Sequence, residues 1–306
     1  MKTESIVLIS ARDALPLETL VAYPDNTARG VVQISHGMCE HKERYIPFLE
    51  FLTENDYAVI LHDHRGHGAA ALARGDLGYF GKDGANALVD DLHQVTLEAK
   101  KRFPGIPVYL FGHSMGSLAA RAYLLKYEKE LSGAFVCGSP AYNPGVHFGI
   151  GLARLLSACK GEKSRGKLLK ILAFGPYYRA FPQSKCSWIC SDPEVVRAYE
   201  ASRLCNFTFT NNGFLALFEL MKLAYRTSPP TSCPDLPIHF LSGAQDPCMG
   251  GEKGFEKAVN CMLRRGYTRV SGRVYENMRH EILNERGKAQ VFSDVLAILR
   301  NWEAER

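Results

Sequence analysis

The sequence predicts an α/β fold with a mostly parallel central sheet, helices on both faces and a helical insertion over one edge of the sheet. Three observations carry that reading. Short apolar runs alternate along the chain with longer segments of helical periodicity, the order expected of parallel strands joined by helical crossovers. Within the runs the apolar residues are consecutive, as strands covered on both faces require, rather than placed at every second position. Between Pro140 and Pro234 the rhythm breaks: helical patterns continue, and no buried strand is legible.

In chain order, residues 6–10 and 17–23 read as two short strands around Arg12 and Asp13. Residues 30–35 form an apolar run that stops at His36 and Gly37, which suits a buried strand. Tyr45, Ile46, Phe48, Leu49 and Leu52 fall at helical spacing and predict a helix over 43–54. A buried strand at 57–61 stops at His62 and Asp63, and an amphipathic helix over 84–103 ends at Pro104-Gly105-Ile106-Pro107. The strand at 108–111 runs into Gly112-His113-Ser114-Met115-Gly116, followed by a helix rich in Ala and Leu to about Lys126. Further strands are predicted at 133–137, 237–242 and 269–275, and helices at 251–265 and 288–302. Proline-containing turns bound the insertion. Residues 1–140 and 233–306 are therefore expected to form one core, with residues 141–232 as a helical cap.

The composition limits the function classes. A hydrophobic share of 46% and a charged share of 23% in 306 residues allow a sizeable core and argue against disorder. Nothing resembles a zinc finger or a basic region, so no nucleic-acid partner is expected. Nine scattered cysteines, an odd number, read as thiols in a reducing compartment rather than a disulfide framework. Cys186 and Cys190 have no second pair at metal-ligand spacing, so no metal site is expected. The first residues, Met1 to Ile6, lack the apolar run of a signal peptide, and no stretch reaches the length of a membrane span. The expected location is cytoplasmic.

The chemistry centres on Ser114. Gly112-His113-Ser114-Met115-Gly116 fits G-x-S-x-G, with a predicted strand before it and a helix after it. A serine on that sharp turn stands above the sheet edge, and Gly112 and Gly116 let strand and helix pass closely. The helix that begins there aims free N–H groups and its positive dipole end at the reaction centre. A serine hydroxyl needs an imidazole to take its proton, and the imidazole needs a carboxylate to fix its tautomer. His280 follows the last predicted strand, and Asp246 follows the strand before it, giving the chain order Ser, acid, His. His239 lies inside a strand, and Asp235 lies at the opposite sheet edge. Two backbone donors should hold the oxyanion: the amide of Met115 and that of Met38, with Gly37 allowing the tight approach. His36 is expected to brace that loop, and His113 to pack beside the turn rather than carry a proton.

With these residues on the page, the chain resembles the monoacylglycerol lipase and lysophospholipase-like serine hydrolases of the α/β-hydrolase superfamily, a group often labelled serine aminopeptidase-like. The resemblance lies in His36-Gly37-Met38-Cys39-Glu40-His41, Asp63-His64-Arg65-Gly66-His67-Gly68, Gly112 to Gly116, Ser242-Gly243-Ala244-Gln245-Asp246-Pro247 and Arg279-His280-Glu281-Ile282-Leu283-Asn284-Glu285. It runs from about residue 20 to the C-terminus and is weaker in the cap. There, Ser191 to Tyr199 resembles bacterial members, while Ala201 to Phe207 lacks the Asp-Pro that many carry. The family implies the same triad and backbone donors, a lipid-facing cap, no cofactor, and structural histidines in the Asp63–Gly68 loop.

From Arg154 to Arg179 stand seven basic residues and one acid, Glu162, interleaved with leucines, isoleucine and phenylalanine. Such a basic amphipathic stretch suggests either peripheral docking on an anionic membrane or micelle, or a solvated charged face over a buried stripe. The expected activity is hydrolysis of a monoacylglycerol or similar single-chain ester. Lysophospholipase and short-chain carboxylesterase are the alternatives within the class, and a catalytically silent binding module is the alternative outside it.

Overall fold

The computed structural model describes residues 2–305; Met1 and Arg306, the first and last residues of the expected core, lie outside the described residues. Eight strands form one sheet: β1 (Lys2–Ile9), β2 (Pro16–Tyr23), β3 (Gly30–Ser35), β4 (Tyr57–His62), β5 (Val108–His113), β6 (Gly133–Cys137), β7 (Ile238–Gly243) and β8 (Val270–Tyr275). Their order is β1-β2-β4-β3-β5-β6-β7-β8. From β4 to β8 every neighbouring pair is parallel, whereas β2 pairs antiparallel with both β1 and β4.

The helices are α1 (Ile46–Glu54), α2 (Gly68–Ala73), α3 (Gly84–Arg102), α4 (Met115–Tyr123), α5 (Val146–Lys160), α6 (Lys167–Ala180), α7 (Pro193–Ala201), α8 (Asn211–Ala224), α9 (Gly251–Arg264) and α10 (Lys288–Ala304). Two apolar layers follow from the alternation of side chains along each strand. On one face Val31, Ile60, Leu110, Val136 and Phe240 meet α3, α4 and α9 through Leu92, Val95, Leu118, Ala122 and Met262. On the other, Val32, Ile34, Leu61, Phe111 and Phe135 meet α1 and α10 through Phe48, Leu52, Phe292, Val295 and Trp302.

Several expectations change on contact with this structure. Consecutive burial holds for β3 to β6, but β1 and β8 are sheet edges and expose side chains along their length. The helix expected over 43–54 begins only at Ile46, after a 3₁₀ turn at Lys42–Tyr45. Pro47 explains the boundary: lacking an N–H and clashing with the preceding turn, it is tolerated only at a helix start. The helix after Ser114 ends at Tyr123, short of Lys126, and the short α2 has no counterpart in the sequence reading.

Between β6 and β7 the described chain forms α5 to α8 and adds no strand to the sheet. Its last helix, α8, packs onto α3, α4 and α5, and Phe214, Ala216, Leu220 and Ala224 are buried in the main core. By contrast α6 buries only Leu169. All nine cysteines are free. Among the described residues no helix is long and apolar enough to cross a membrane.

Candidate active site

Parallel strands carry their C-terminal ends to one rim, so the segments after β3, β5, β7 and β8 all open there. Ser114 occupies the turn between β5 and α4 with φ 53° and ψ −118°, a backbone conformation that non-glycine residues rarely adopt. Its N–H donates to Cys137 O at 2.9 Å, and its carbonyl accepts from Ser117 Oγ at 2.6 Å. The flanking glycines admit no side chain. A Cβ on Gly116 would lie 1.9 Å from Ser35 O, and one on Gly112 would lie 2.4 Å from Gly116 O.

Ser114, His280 and Asp246 come together on this rim, and all three are buried. His280 Nε2 is 2.8 Å from Ser114 Oγ, and His280 Nδ1 is 2.9 Å from Asp246 Oδ2. A carboxylate only accepts, so Nδ1 carries the proton and leaves the Nε2 lone pair to accept from the serine hydroxyl. Asp246 is fixed from its other side: Oδ1 accepts the Cys248 N–H at 2.8 Å, and Oδ2 accepts from Ser242 Oγ at 3.4 Å. Close passage of β7 beneath the His280 loop depends on Gly243, where a Cβ would lie 2.3 Å from both Met278 O and Arg279 O.

Met38 lines the cavity beside Ser114, and its N–H has no acceptor among the described residues. Met115 is the first residue of α4, so its N–H has no acceptor within its own helix. The Met38 loop is braced by imidazoles. His36 Nδ1 donates to Gly37 O at 2.8 Å while its Nε2 accepts the His64 N–H at 2.9 Å, and His67 Nε2 accepts the Cys39 N–H at 3.2 Å. Burial pushes the pKa of His36 down to about 4 and those of His62 and His67 down to about 3, so these rings stay neutral.

A charged network under Ser114 has no counterpart in the sequence reading. Glu40 Oε1 accepts the Gly37 N–H at 2.5 Å, Tyr45 OH at 3.0 Å and His113 Nδ1–H at 3.1 Å, while Oε2 accepts from Arg44 at 2.9 Å. Arg44 also grips Glu281 through two bonds of 2.7 and 2.6 Å. His113 does more than pack beside the turn. Its Nε2 lies 3.3 Å from His280 O, so both of its neighbours are acceptors and both ring nitrogens carry protons. Burial pulls the His113 pKa down, but the hydrogen bond and charge of Glu40 outweigh it and leave the pKa raised. Burial likewise opposes ionisation of Glu40, and His113 and Arg44 overcome it, holding that carboxyl well below its usual range.

The segment after α6 roofs the site. The Trp188 ring lies 4.9 Å from the His280 ring at a 44° tilt, with Tyr177 and Phe174 against its other side. Ile189 O accepts the Glu281 N–H at 2.7 Å, fastening roof to rim. Beneath lies a cavity of 280 Å³ reaching from Ser114 to an apolar end at Val146, Phe148, Leu217, Phe218 and Met221. Asp246, Cys248 and His280 also place donor atoms within 4.8 Å of one another. Two of these are already hydrogen-bonded together, and burial beside the Asp246 carboxylate raises the Cys248 pKa and keeps it a thiol, a poor metal ligand.

Among solved structures, the chain is similar to a carboxyl esterase from Bacillus coagulans in complex with glycerol. The TM-score is 0.89 at 26% identity, with 99% of each chain covered. The fold is that of an α/β-hydrolase, and the class is that of the carboxylic ester hydrolases. The chain belongs to the serine aminopeptidase, S33, family, whose sequence profile matches residues 26–287. It is 29% identical to a monoacylglycerol lipase of Mycolicibacterium smegmatis over 273 residues, 89% of this chain and 88% of that one. It is 36% identical to a monoglyceride lipase of Homo sapiens over 97 residues, 32% of this chain and 30% of that one.

Proposed function

We propose that the chain is a serine hydrolase of single-chain lipid esters, monoacylglycerols first, acting through an acyl-enzyme on Ser114. The observation that carries this reading is the continuous hydrogen-bond line from Ser114 through His280 to Asp246 at the wall of an apolar cavity. Ser114 Oγ attacks the ester carbonyl as its proton passes to His280 Nε2, and Asp246 steadies the imidazolium. The N–H groups of Met38 and Met115 receive the oxyanion, each contributing about 2.7–4 kcal/mol to the transition state. Collapse breaks the ester bond, and the alcohol leaves with the proton from His280. Water then attacks the acyl carbonyl, gives its proton to His280, and releases the carboxylic acid as Ser114 is restored. No cofactor enters these steps.

The apolar end of the cavity favours a lipid acyl chain over a short one. Removal of N-terminal residues from peptides would need a free carboxylate for the substrate ammonium. Glu40 and Glu281 line the cavity, but Arg44 and His113 already neutralise them.

Residues 141–232 act in this reading as a cap that meets the lipid surface. Phe148 is 69% exposed, Leu155 60%, Ile171 63% and Leu172 54%, large apolar side chains that α5 and α6 leave uncovered. Of the seven basic residues nearby, Arg154 pairs with Glu219, Lys163 with Asp76, and Arg165 with the Leu77 and Thr208 carbonyls. Lys160, Lys167 and Arg179 are exposed, form no ion pair among the described residues and remain for an anionic interface.

An ester panel tests the reading. Glycerol esters from octanoyl to palmitoyl should turn over faster than nitrophenyl acetate, and Ser114→Ala should abolish both activities. Preference for acetate would make the short-chain carboxylesterase the better account.

A further inference from the structure

We propose that Trp188 is a positioning residue for His280. Carried on a segment of the insertion that is bonded to the His280 loop, its indole keeps the imidazole aligned between Ser114 and Asp246 through both steps of turnover. The inference rests on the ester-hydrolase reading above and adds to its chemistry a side chain from outside the core.

Residues 187–191 run beside residues 279–285, and hydrogen bonds join the two segments on either side of His280. Before it, Arg279 Nη1 donates to Ser187 O and, at 3.1 Å, to Cys190 O. After it, the Glu281 N–H donates to Ile189 O at 2.7 Å. Glu285 adds a third tie. Its Oε1 accepts the Ser191 N–H at 2.8 Å and the Arg279 N–H at 2.9 Å, and its Oε2 accepts from Ser191 Oγ. The Arg279 guanidinium is steadied in turn by the Phe181 ring, 4.1 Å away. Bonds at residues 187, 189 and 190 thus fix the backbone around Trp188, and bonds at residues 279 and 281 fix the backbone around His280. The two side chains so bracketed meet each other, with ring centroids 4.9 Å apart, a separation typical of aromatic rings in contact.

The imidazole needs such a neighbour. The χ2 torsion of histidine is soft. Its hydrogen bonds to Ser114 and Asp246 leave from the two ring nitrogens, so they resist tipping about the line joining those atoms only weakly. A ring packed against the imidazole at a 44° tilt blocks that motion. The need grows once the acyl-enzyme has formed. Ser114 Oγ is then bonded to the acyl carbon and has no proton to donate, so His280 loses one of its two side-chain hydrogen bonds. Asp246 and Trp188 remain to hold the ring while it takes the proton of the incoming water. Misplacement by about 1 Å at this point costs on the order of 100-fold in rate. Trp188 also lines the cavity, so its effect on His280 has to be told apart from that of a wall.

The test follows Trp188→Ala on nitrophenyl acetate and on 1-lauroylglycerol, the latter below its aggregation threshold so that surface docking is not read. Positioning predicts a drop in kcat of about tenfold on both esters, the scale of one aromatic contact, with KM unchanged. Fluorophosphonate labelling of Ser114 should slow by the same factor, because all three reactions use His280 while only the lauroyl ester fills the apolar end. Trp188→Phe keeps an aromatic ring and should restore most of the rate. Arg279→Met unties the segment without altering the cavity lining, and it should lower kcat in the same way even if Trp188→Ala does not fold. A raised KM for the lauroyl ester with kcat unchanged would make Trp188 a wall only and overturn the proposal. A loss confined to the lauroyl ester, or full activity in Trp188→Ala, would overturn it as well. A wild-type protein that neither labels nor cleaves either ester would instead remove the ester-hydrolase reading, so the two failures are distinguishable.

Discussion

Replacing Glu40 with glutamine keeps the side chain's size and removes the negative charge beneath Ser114. The carboxylate accepts four donors, from Gly37, Tyr45, His113 and Arg44, at 2.5 to 3.1 Å. A glutamine has one acceptor oxygen, so its NH₂ group must face a donor whichever way it turns. The least damaging orientation leaves the oxygen with Gly37, Tyr45 and His113 and sets NH₂ against Arg44. Arg44 is partly compensated because it keeps both bonds to Glu281. The loss then comes chiefly from the charge on His113 and from the Arg44 contact, together about 3 kcal/mol. With an unfolding entropy of about 2.1 cal/mol/K per residue, a 306-residue chain shifts by about 5 °C for that change.

The pH dependence has a definite sign. Glu40 has a depressed folded pKa, so its contribution is full above its ordinary value of 4.5 and is lost as pH falls through the folded value. His113 has a raised folded pKa, so its contribution is full below its ordinary 6.5 and is lost as pH rises through the folded value. The gap in Tm between wild type and Glu40→Gln should therefore be widest between those two ordinary values and narrow on both sides. Thermal unfolding followed by circular dichroism across that range reads it directly. A gap under 1 °C, or one that does not vary with pH, would refute the charged network.

Asp246→Asn should fold normally, since an amide still accepts the Cys248 N–H, and should lower kcat by about 10⁴ in steady-state ester hydrolysis because the imidazole loses its tautomer control. Gly116→Ala should cost about 3 kcal/mol or prevent folding in urea unfolding, because its Cβ meets backbone at Ser35 and His36. Gly151→Ala, mid-helix with nothing within 4 Å, should stabilise by about 0.5–1 kcal/mol in the same assay. The triple change Lys160→Glu, Lys167→Glu and Arg179→Glu should depress turnover of micellar monoacylglycerol several-fold and leave a water-soluble short ester unaffected. Equal loss on both would count against docking through the cap.

What the sequence makes legible here is local. Ser114, Asp246 and His280 each lie just past an apolar run, so strand-end position singles them out from ten histidines and many carboxylates. The glycines at 112 and 116 carry their meaning within five residues of chain. Non-local partnerships leave no such trace. Glu40 and His113 are 73 positions apart and Arg44 and Glu281 are 237 apart, and each reads alone as an ordinary polar residue. Trp188 over His280 is hidden for the same reason, because it sits in the insertion where no strand pattern sets a register. Edge strands also mislead. β1 and β8 show exposed faces that only the assembled sheet order explains, and the antiparallel placement of β2 between β1 and β4 has no signature in its own residues.

Fluorophosphonate labelling tests the central claim most directly, with the adduct mapped by tryptic mass spectrometry. The account predicts stoichiometric modification on the peptide carrying Ser114, full loss of ester hydrolysis in step with labelling, and no adduct in Ser114→Ala. An unlabelled wild-type protein, or an adduct on any other serine with activity intact, would contradict it.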